Sequence, residues 1–273
     1  MTTAAVVAPF RFFSLYVVRV RRLSPALVRV SFGGEDLVHF LSDGWDQSLS
    51  LFLPQPGQVA PAVPFELGDG WWQGWRELPD DVRAVMRSYT LRGLRAPRGG
   101  PVEIDVDFVL HTPAGPASAW AAGAVVGDRV VVLGPAVADN RAIRFRPPQG
   151  TDLVVLWGDE TALPAIASIL ESLPAGQRAR VWLEVHDAAD VQELATAADA
   201  EITWVVGESS VDALRAAELP PAGQPYVWIA GESGCVKALR RHFVRERGID
   251  RRRVTFVGYW RHGMSEEQLR DAE

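Results

Sequence analysis

Near residue 150 the hydrophobic pattern changes its period, and that change constrains the fold more than any other feature of the sequence. Upstream, short segments alternate in the manner of strands: Phe12 to Val20, Leu27 to Phe32, Ser48 to Leu53, Arg87 to Arg92, Val102 to Leu110 and Arg129 to Leu133. In Val102, Ile104, Val106, Phe108 and Leu110 the apolar residues take every second position, with Glu103, Asp105 and Asp107 between them. One face of that strand is core and the other is wet or turned to a ligand. The pattern predicts an antiparallel β-barrel. Downstream, strands at Leu153 to Trp157, Arg180 to Val185, Ile202 to Val206, Tyr226 to Ala230 and Val254 to Val257 alternate with helices. Those helices are expected over Leu163 to Ser172, Val191 to Ala198, Val211 to Ala217 and Val236 to Arg247. Five strands with helical crossovers predict a doubly wound parallel sheet. The expected organisation is a β domain over 1-149 and an α/β domain over 150-273. The tract from Gly57 to Trp75, rich in Pro, Gly and Trp, reads as a long surface loop.

A chain of 273 residues, 48% hydrophobic, can furnish two cores. No segment approaches the roughly 18 uninterrupted apolar residues of a membrane span. The apolar stretch Ala4 to Ala8 is interrupted by Pro9 and Arg11, without the basic leader of a signal peptide, so a cytoplasmic protein without membrane insertion is expected. The single cysteine, Cys235, excludes an internal disulfide and suits a reducing compartment; an inert buried thiol is its expected state. A net charge of -6 argues against nucleic acid as a partner. Lys237 is the only lysine among 28 basic residues, a preference for arginine without functional content. The histidines His39, His111, His186, His242 and His262 show no metal-ligand spacing, and no nucleophile or general-base constellation stands out.

Chemistry concentrates in Arg87-Ser88-Tyr89-Thr90-Leu91-Arg92. On a strand, Arg87 and Tyr89 share one face while Thr90 offers its hydroxyl from the other. An aromatic ring can cover a planar isoalloxazine and an arginine fork suits a phosphate, which together form equipment for a flavin. An edge strand with ordinary surface arginines is the plain alternative. A second candidate is the turn Gly115-Pro116-Ala117-Ser118, set at the start of a short helix with Trp120 and Ala121. A helix start presents unpaired N–H groups to an anion, although Ser118 as a simple helix cap accounts for the same residues. Three parallel strands end in glycine, at Gly158, Gly231 and Gly258, where either a close-approaching ligand or an ordinary turn accounts for the residue.

The segment from Leu78 to Arg92 resembles the flavin signature of the siderophore-interacting protein family, part of the ferredoxin-reductase superfamily. The resemblance continues through Val106-Asp107-Phe108-Val109-Leu110-His111, Gly115 to Ala121, Gly158-Asp159-Glu160-Thr161-Ala162-Leu163-Pro164-Ala165-Ile166 and Gly258-Tyr259-Trp260-Arg261-His262-Gly263. It covers nearly the whole chain in the family's order. It implies an FAD-dependent oxidoreductase that takes electrons from NADH or NADPH and reduces the Fe(III) of a ferric siderophore, releasing Fe(II). By resemblance, Arg87, Tyr89, Thr90, His111, Ala117 and Ser118 contact FAD, and Gly158, Thr161 and Gly231 serve the nicotinamide dinucleotide. Asp159 and Glu160 would repel a pyrophosphate, which favours Thr161 and backbone N–H groups for direct contacts; Asp159 or Thr161 as a helix cap is the plain alternative. Tyr259, Trp260 and Arg261 are expected at the substrate, or as part of a tail that packs the domains, with a polar helix over Ser265 to Glu273.

Two departures from the family pattern bear on substrate. Ser50 in Gln47-Ser48-Leu49-Ser50-Leu51 stands where family members that reduce anionic ferric siderophores typically carry a lysine, and Ala119 stands where an arginine is often found. A triply charged catecholate complex is then held less strongly than a neutral or weakly charged chelate, unless Arg87, Arg92, Arg95 or Arg98 compensates. In Val206-Gly207-Glu208-Ser209-Ser210, Glu208 stands where many relatives place an arginine near the 2'-phosphate of NADPH, which favours NADH unless Ser209, Ser210 or a distant arginine restores NADPH binding. The alternative function is a siderophore- or metabolite-binding flavoprotein that receives electrons from a ferredoxin or acts in a biosynthetic pathway.

Overall fold

The computed structural model describes residues 8–96, 100–264 and 268. Arg98 and, apart from Gln268, the helix expected over Ser265 to Glu273 lie outside the described residues. The chain divides into two compact units, Met1–Ile143 and Arg144–Glu273. Among the described residues no helix is long and apolar enough to cross a membrane.

In the first unit the chain runs β1 (Phe10–Arg22), β2 (Leu27–Gly33), β3 (Ser48–Leu53), α1 (Trp71–Glu77), β4 (Val85–Thr90), β5 (Gly93–Arg95), β6 (Glu103–Val109), α2 (Pro116–Gly123) and β7 (Arg129–Pro135). The seven strands form one curled antiparallel sheet, a half-barrel of order β4-β3-β7-β1-β2-β6-β5. The expected antiparallel fold class is thus observed. The strand expected over Arg87 to Arg92 stops short: β4 ends at Thr90, and beyond Leu91 and Arg92 a separate short β5 pairs with β6.

Strand parity sorts the side chains onto two faces. Leu49, Leu51 and Leu53 of β3, Phe13, Leu15 and Val17 of β1, and Val130 and Val132 of β7 pack into one core with Ile104, Val106 and Phe108 of β6. Their neighbours Phe52 and Val131, with Met86 of β4, turn to the other face and join Val63, Trp75 and Ala84 in a second cluster. This second cluster corrects the surface-loop expectation for Gly57 to Trp75. The tract forms a 3-10 turn over Phe65–Gly70 and then α1, whose Trp75 is only 5% exposed. Trp71 meets Phe12 edge-on at 5.1 Å, and the Trp75 indole N–H donates to the carbonyl of Ala84 at 3.1 Å. The apolar residues on the second face of the strands need a cover, and the tryptophan-rich tract supplies it.

The second unit contains β8 (Leu153–Gly158), α3 (Leu163–Ser172), β9 (Arg178–Val185), β10 (Asp199–Val206), α4 (Ser210–Ala216), β11 (Pro225–Glu232), α5 (Ser233–Arg241) and β12 (Val254–Trp260). All pairings are parallel and the order is β10-β9-β8-β11-β12. The chain builds outward from β8 in one direction, then returns to lay β11 and β12 on its other side, so the switch in strand order falls between β8 and β11. β8 is buried along its whole length, as a central parallel strand must be.

One helix expectation fails and another shifts its bounds. No helix forms over Val191 to Ala198; a 3-10 turn at Ala188–Asp190 leads into irregular backbone. There the Thr196 hydroxyl donates to the carbonyl of Leu170 at 2.7 Å and accepts from the Ala198 N–H at 3.1 Å, replacing helical bonds with side-chain ones. The helix expected from Val236 to Arg247 begins earlier, at Ser233, and widens after Arg241 into a π-helical turn over His242–Glu246.

Candidate functional site

In the first unit, β4 pairs with β3 so that Arg87 lies opposite Leu51, Tyr89 opposite Leu49 and Thr90 opposite Ser48. Tyr89 therefore shares the main-core face, and its ring lies 4.4 Å from that of Phe108. Phe108 in turn meets Trp120 of α2 at 5.8 Å, and Trp120 stacks on Phe32 at 6.3 Å. This aromatic series joins the strand that carries Arg87 and Tyr89 to the helix that carries Ala117 and Ser118. Arg87 is half-buried and its Nη1 donates to the carbonyl of Met86 at 2.8 Å. Thr90 is buried on the opposite face.

Gly115 precedes α2, with Pro116 in its first turn. The Ser118 hydroxyl does not cap its own helix; it accepts the backbone N–H of His111 at 3.2 Å and so fastens the helix to the end of β6. The His111 Nδ1–H donates to the carbonyl of Pro113 at 2.7 Å. A Cβ on Gly115 would stand 3.6 Å from that ring, an ordinary contact. The first-turn N–H groups of Ala117 and Ser118 have no acceptor within the helix.

The polar face of β6 is saturated by arginines. Asp107 holds Arg29 through two bonds of 2.6 and 2.8 Å, with the Arg92 Nε 3.9 Å away. Asp105 accepts from Ser31 at 2.6 Å and pairs with Arg95, while Glu103 binds Arg95 at 2.7 Å and Arg19 at 2.9 Å. The Arg95 hydrogen bond, foremost, holds the Glu103 carboxyl below its usual range. Ser50 lies opposite Ser88, and Ala119 is exposed on α2.

In the second unit the carboxyl ends of β8, β11 and β12 converge on Asp159, a residue whose role the sequence left at repulsion or capping. Its carboxylate accepts the Thr161 N–H at 2.9 Å, the Thr161 hydroxyl, the Glu232 N–H at 2.8 Å and the Trp260 indole N–H at 2.8 Å. Burial pushes its carboxyl upward, against the pull of those donors. Glu160, also raised by burial, accepts the N–H of His186. At Gly158, Gly231 and Gly258 a side chain would run into the chain's own atoms. A Cβ at Gly158 would stand 2.6 Å from that of Ala162, and one at Gly258 would stand 2.6 Å from the Ser233 hydroxyl. Gly231, at a φ of 140°, would place a Cβ 2.5 Å from the Asp159 carboxylate. Sequence signals for Asp159 were present: an acid directly after the first parallel strand, and a glycine ending its neighbour.

Trp260 is 40% exposed yet held at two points, by its indole on Asp159 and by its carbonyl, which accepts from Ser233 at 2.8 Å. Tyr259 is half-buried and Arg261 is exposed. Among the described residues no group of His, Cys, Asp and Glu could hold a metal ion.

The comparisons agree on kinship. Residues 16–139 match the siderophore-interacting FAD-binding domain, and residues 151–263 match the siderophore-interacting protein family. The chain is 30% identical to the ferric vibriobactin reductase ViuB of Vibrio cholerae, over 92% of its own length and 89% of that protein. It is 33% identical to the NADPH-dependent ferric-chelate reductase of Escherichia coli, over 92% and 93%. Among solved structures, the siderophore-interacting protein SipS of Aeromonas hydrophila superposes with a TM-score of 0.77 at 32% identity, covering 97% of this chain and 96% of that one. The half-barrel and the parallel sheet lie in the order these matches require, and the chain belongs to the siderophore-interacting protein family.

Proposed function

We propose that the chain is an FAD-dependent NAD(P)H:ferric-siderophore oxidoreductase. The observation that carries this reading is its likeness, along nine-tenths of its length, to two proteins named as ferric reductases. The FAD-binding domain is taken as 1-149, which contains the first unit, and the domain over 150-273 binds the nicotinamide dinucleotide. A cytoplasmic location is part of the proposal.

The residues of the first unit suit FAD. The Ala117 and Ser118 N–H groups, unused within α2, suit a pyrophosphate, and the Arg87 guanidinium adds a fork for phosphate oxygens. Tyr89 offers a ring already braced by Phe108, Thr90 its backbone and hydroxyl, and His111 an imidazole fixed by Pro113. FAD bound there supplies the conversion between a two-electron hydride donor and a one-electron ferric acceptor. The protein's part is to orient the rings and exclude water. Gly158, Thr161 and Gly231 border the dinucleotide at the switch in strand order, and Tyr259, Trp260 and Arg261 contact the chelate. Arg261, exposed at the end of β12, is the cation proposed there. A neutral or weakly charged ferric chelate is the preferred substrate and NADH the preferred donor, Glu208 having the wrong sign for a 2'-phosphate.

A ferredoxin as electron donor is the second reading. It is favoured by one observation, the engagement of the Thr161 and Glu232 N–H groups by the chain's own Asp159 carboxylate. Anaerobic mixing of the yellow holoprotein with NADH or NADPH, followed by a panel of ferric siderophores, tests both. Flavin bleaching by a dinucleotide and reoxidation by a ferric chelate is the expected result. No bleaching by either dinucleotide overturns the first reading.

A further inference from the structure

At the carboxyl edge of the parallel sheet, four successive turns spend backbone N–H groups on carboxylates of the chain itself. After β8, Thr161 donates to Asp159 at 2.9 Å; after β9, His186 donates to Glu160. After β10, Ser210 donates to Glu184 at 2.8 Å. After β11, Glu232 donates to Asp159 at 2.8 Å, and Gly234 and Cys235 both donate to the Glu232 carboxylate, the latter at 2.9 Å.

These are the groups that a doubly wound sheet turns toward the phosphates of a dinucleotide at its switch in strand order. Glu232 is the decisive case. It ends β11, beside the switch, and as the residue preceding α5 it lays its carboxylate across the first amides of a helix of 9 residues. That is where an incoming phosphate oxygen would otherwise find its donors. The field at this edge is negative in its own right: burial and the Glu232 charge together push the Cys235 thiol up to about 11.

We infer that Glu232 is an internal competitor for the pyrophosphate of the nicotinamide dinucleotide, and that it sets a weak affinity of this chain for its donor. The inference rests on the reading of the second unit as the dinucleotide-binding one. A pyrophosphate must displace the carboxylate from Gly234 and Cys235 and tolerate Asp159, Glu160 and Glu184 nearby. Glutamate is not among the favoured N-cap residues, so a purely structural cap would more commonly be serine, threonine, aspartate or asparagine.

The test uses holoprotein carrying Glu232→Gln, which removes the charge and keeps an acceptor, and Glu232→Ala, which removes both. Binding of NAD+ is measured by calorimetry, and the half-saturating NADH concentration by anaerobic flavin reduction. The expected result is an approximately tenfold lower dissociation constant in Glu232→Gln, with a further fall in Glu232→Ala. The wild-type protein gives a reading independent of any variant. Its NAD+ affinity should hold or improve as salt rises from about 20 to about 200 mM, because screening relieves like-charge repulsion. Unchanged or weaker binding in both variants, with flavin reduction intact, overturns the inference and leaves the reductase reading standing. Steep weakening of wild-type binding by salt also overturns it. Absence of dinucleotide binding and of flavin reduction in every form overturns it together with the donor assignment; ferric reduction by the dithionite-reduced protein then shows whether the acceptor half survives.

Discussion

The indole N–H of Trp260 donates to the carboxylate of Asp159 at 2.8 Å, joining the end of β12 to the turn after β8 across the intervening β11. The same carboxylate holds the N–H of Glu232 from β11 itself, so one side chain ties three strand ends. Asp159→Ala leaves these donors and the Thr161 N–H without their acceptor. The expected loss is about 3 kcal/mol of stability in the second unit, read by urea unfolding, whereas Trp260→Phe should cost about 1 kcal/mol. A loss below about 1 kcal/mol for Asp159→Ala would mean that water or rearranged backbone replaces the carboxylate.

The same residue gives a pH dependence of known sign. Burial raises its carboxyl above the ordinary value of 3.8, so at mildly acidic pH the folded chain retains a proton that the unfolded chain releases. The unfolding free energy therefore falls as pH rises from about 4 through the folded-state pKa. Subtracting the unfolding curve of Asp159→Asn from that of the wild type between about pH 4 and pH 7 isolates this contribution from the other carboxyls. A difference that grows in favour of the wild type with rising pH contradicts it.

Trp75 tests the cover over the second face of the half-barrel. It packs against Phe52 at 6.3 Å with its ring nearly perpendicular, carries Arg83 over its face at 5.4 Å and is almost wholly buried. Trp75→Ala should destabilise the first unit by roughly 3 to 5 kcal/mol, as removal of a buried aromatic does. Denaturant unfolding of the FAD-depleted protein measures it free of cofactor linkage; a cost under about 1 kcal/mol returns the tract to the status of a loop.

The contrast between Trp75 and Asp159 shows what the sequence disclosed. Alternation in β6 and the β/α rhythm after residue 150 reveal both sheets, because a buried face imposes its period on the chain that supplies it. Gly57 to Trp75 misleads because its Pro and Gly punctuation marks turns, while nothing local tells that Phe52, Met86 and Val131 leave a second face to be covered. Val191 to Ala198 misleads for a different reason: Thr196 bonds to Leu170, a partner 26 positions away. Asp159 was legible as a residue but not as a hub, since its donors at Glu232 and Trp260 lie 73 and 101 positions away. Family resemblance marked Arg87, Tyr89 and Ser118 as candidates; only the fold links Tyr89 through Phe108 and Trp120 to the helix that carries Ser118.

Arg87 and Ser118 separate two modes of holding FAD. Arg87→Ala removes a charged fork and should weaken FAD retention by roughly 1.5 to 3 kcal/mol. Ser118→Ala takes away the acceptor of the His111 N–H and so also loosens the join between α2 and β6, at about 1 kcal/mol of stability. Equilibrium titration of apoprotein with FAD, paired with thermal unfolding, distinguishes them: Arg87→Ala should move the dissociation constant and leave the apoprotein melting temperature nearly constant. An unchanged dissociation constant removes Arg87 from the cofactor site.

Cys235 offers a chemical probe of the carboxylate beside it. Its thiol is pushed up to about 11 from an ordinary 9.0, first by burial and then by the charge of Glu232, whose carboxylate also accepts the Cys235 N–H at 2.9 Å. The thiolate is the nucleophile, so two pKa units correspond to about 100-fold less reactive species at neutral pH. Alkylation by iodoacetamide at about pH 8 should therefore be some 100-fold slower than that of a free thiol, with partial burial slowing it further. Glu232→Gln removes the second cause and should speed alkylation severalfold while the fold, followed by circular dichroism, is unchanged. A wild-type rate within about threefold of the free thiol would show that the Cys235 surroundings are neither dry nor negative. A variant rate equal to a slow wild-type rate would leave burial as the sole cause and move the Glu232 charge away from the sulfur.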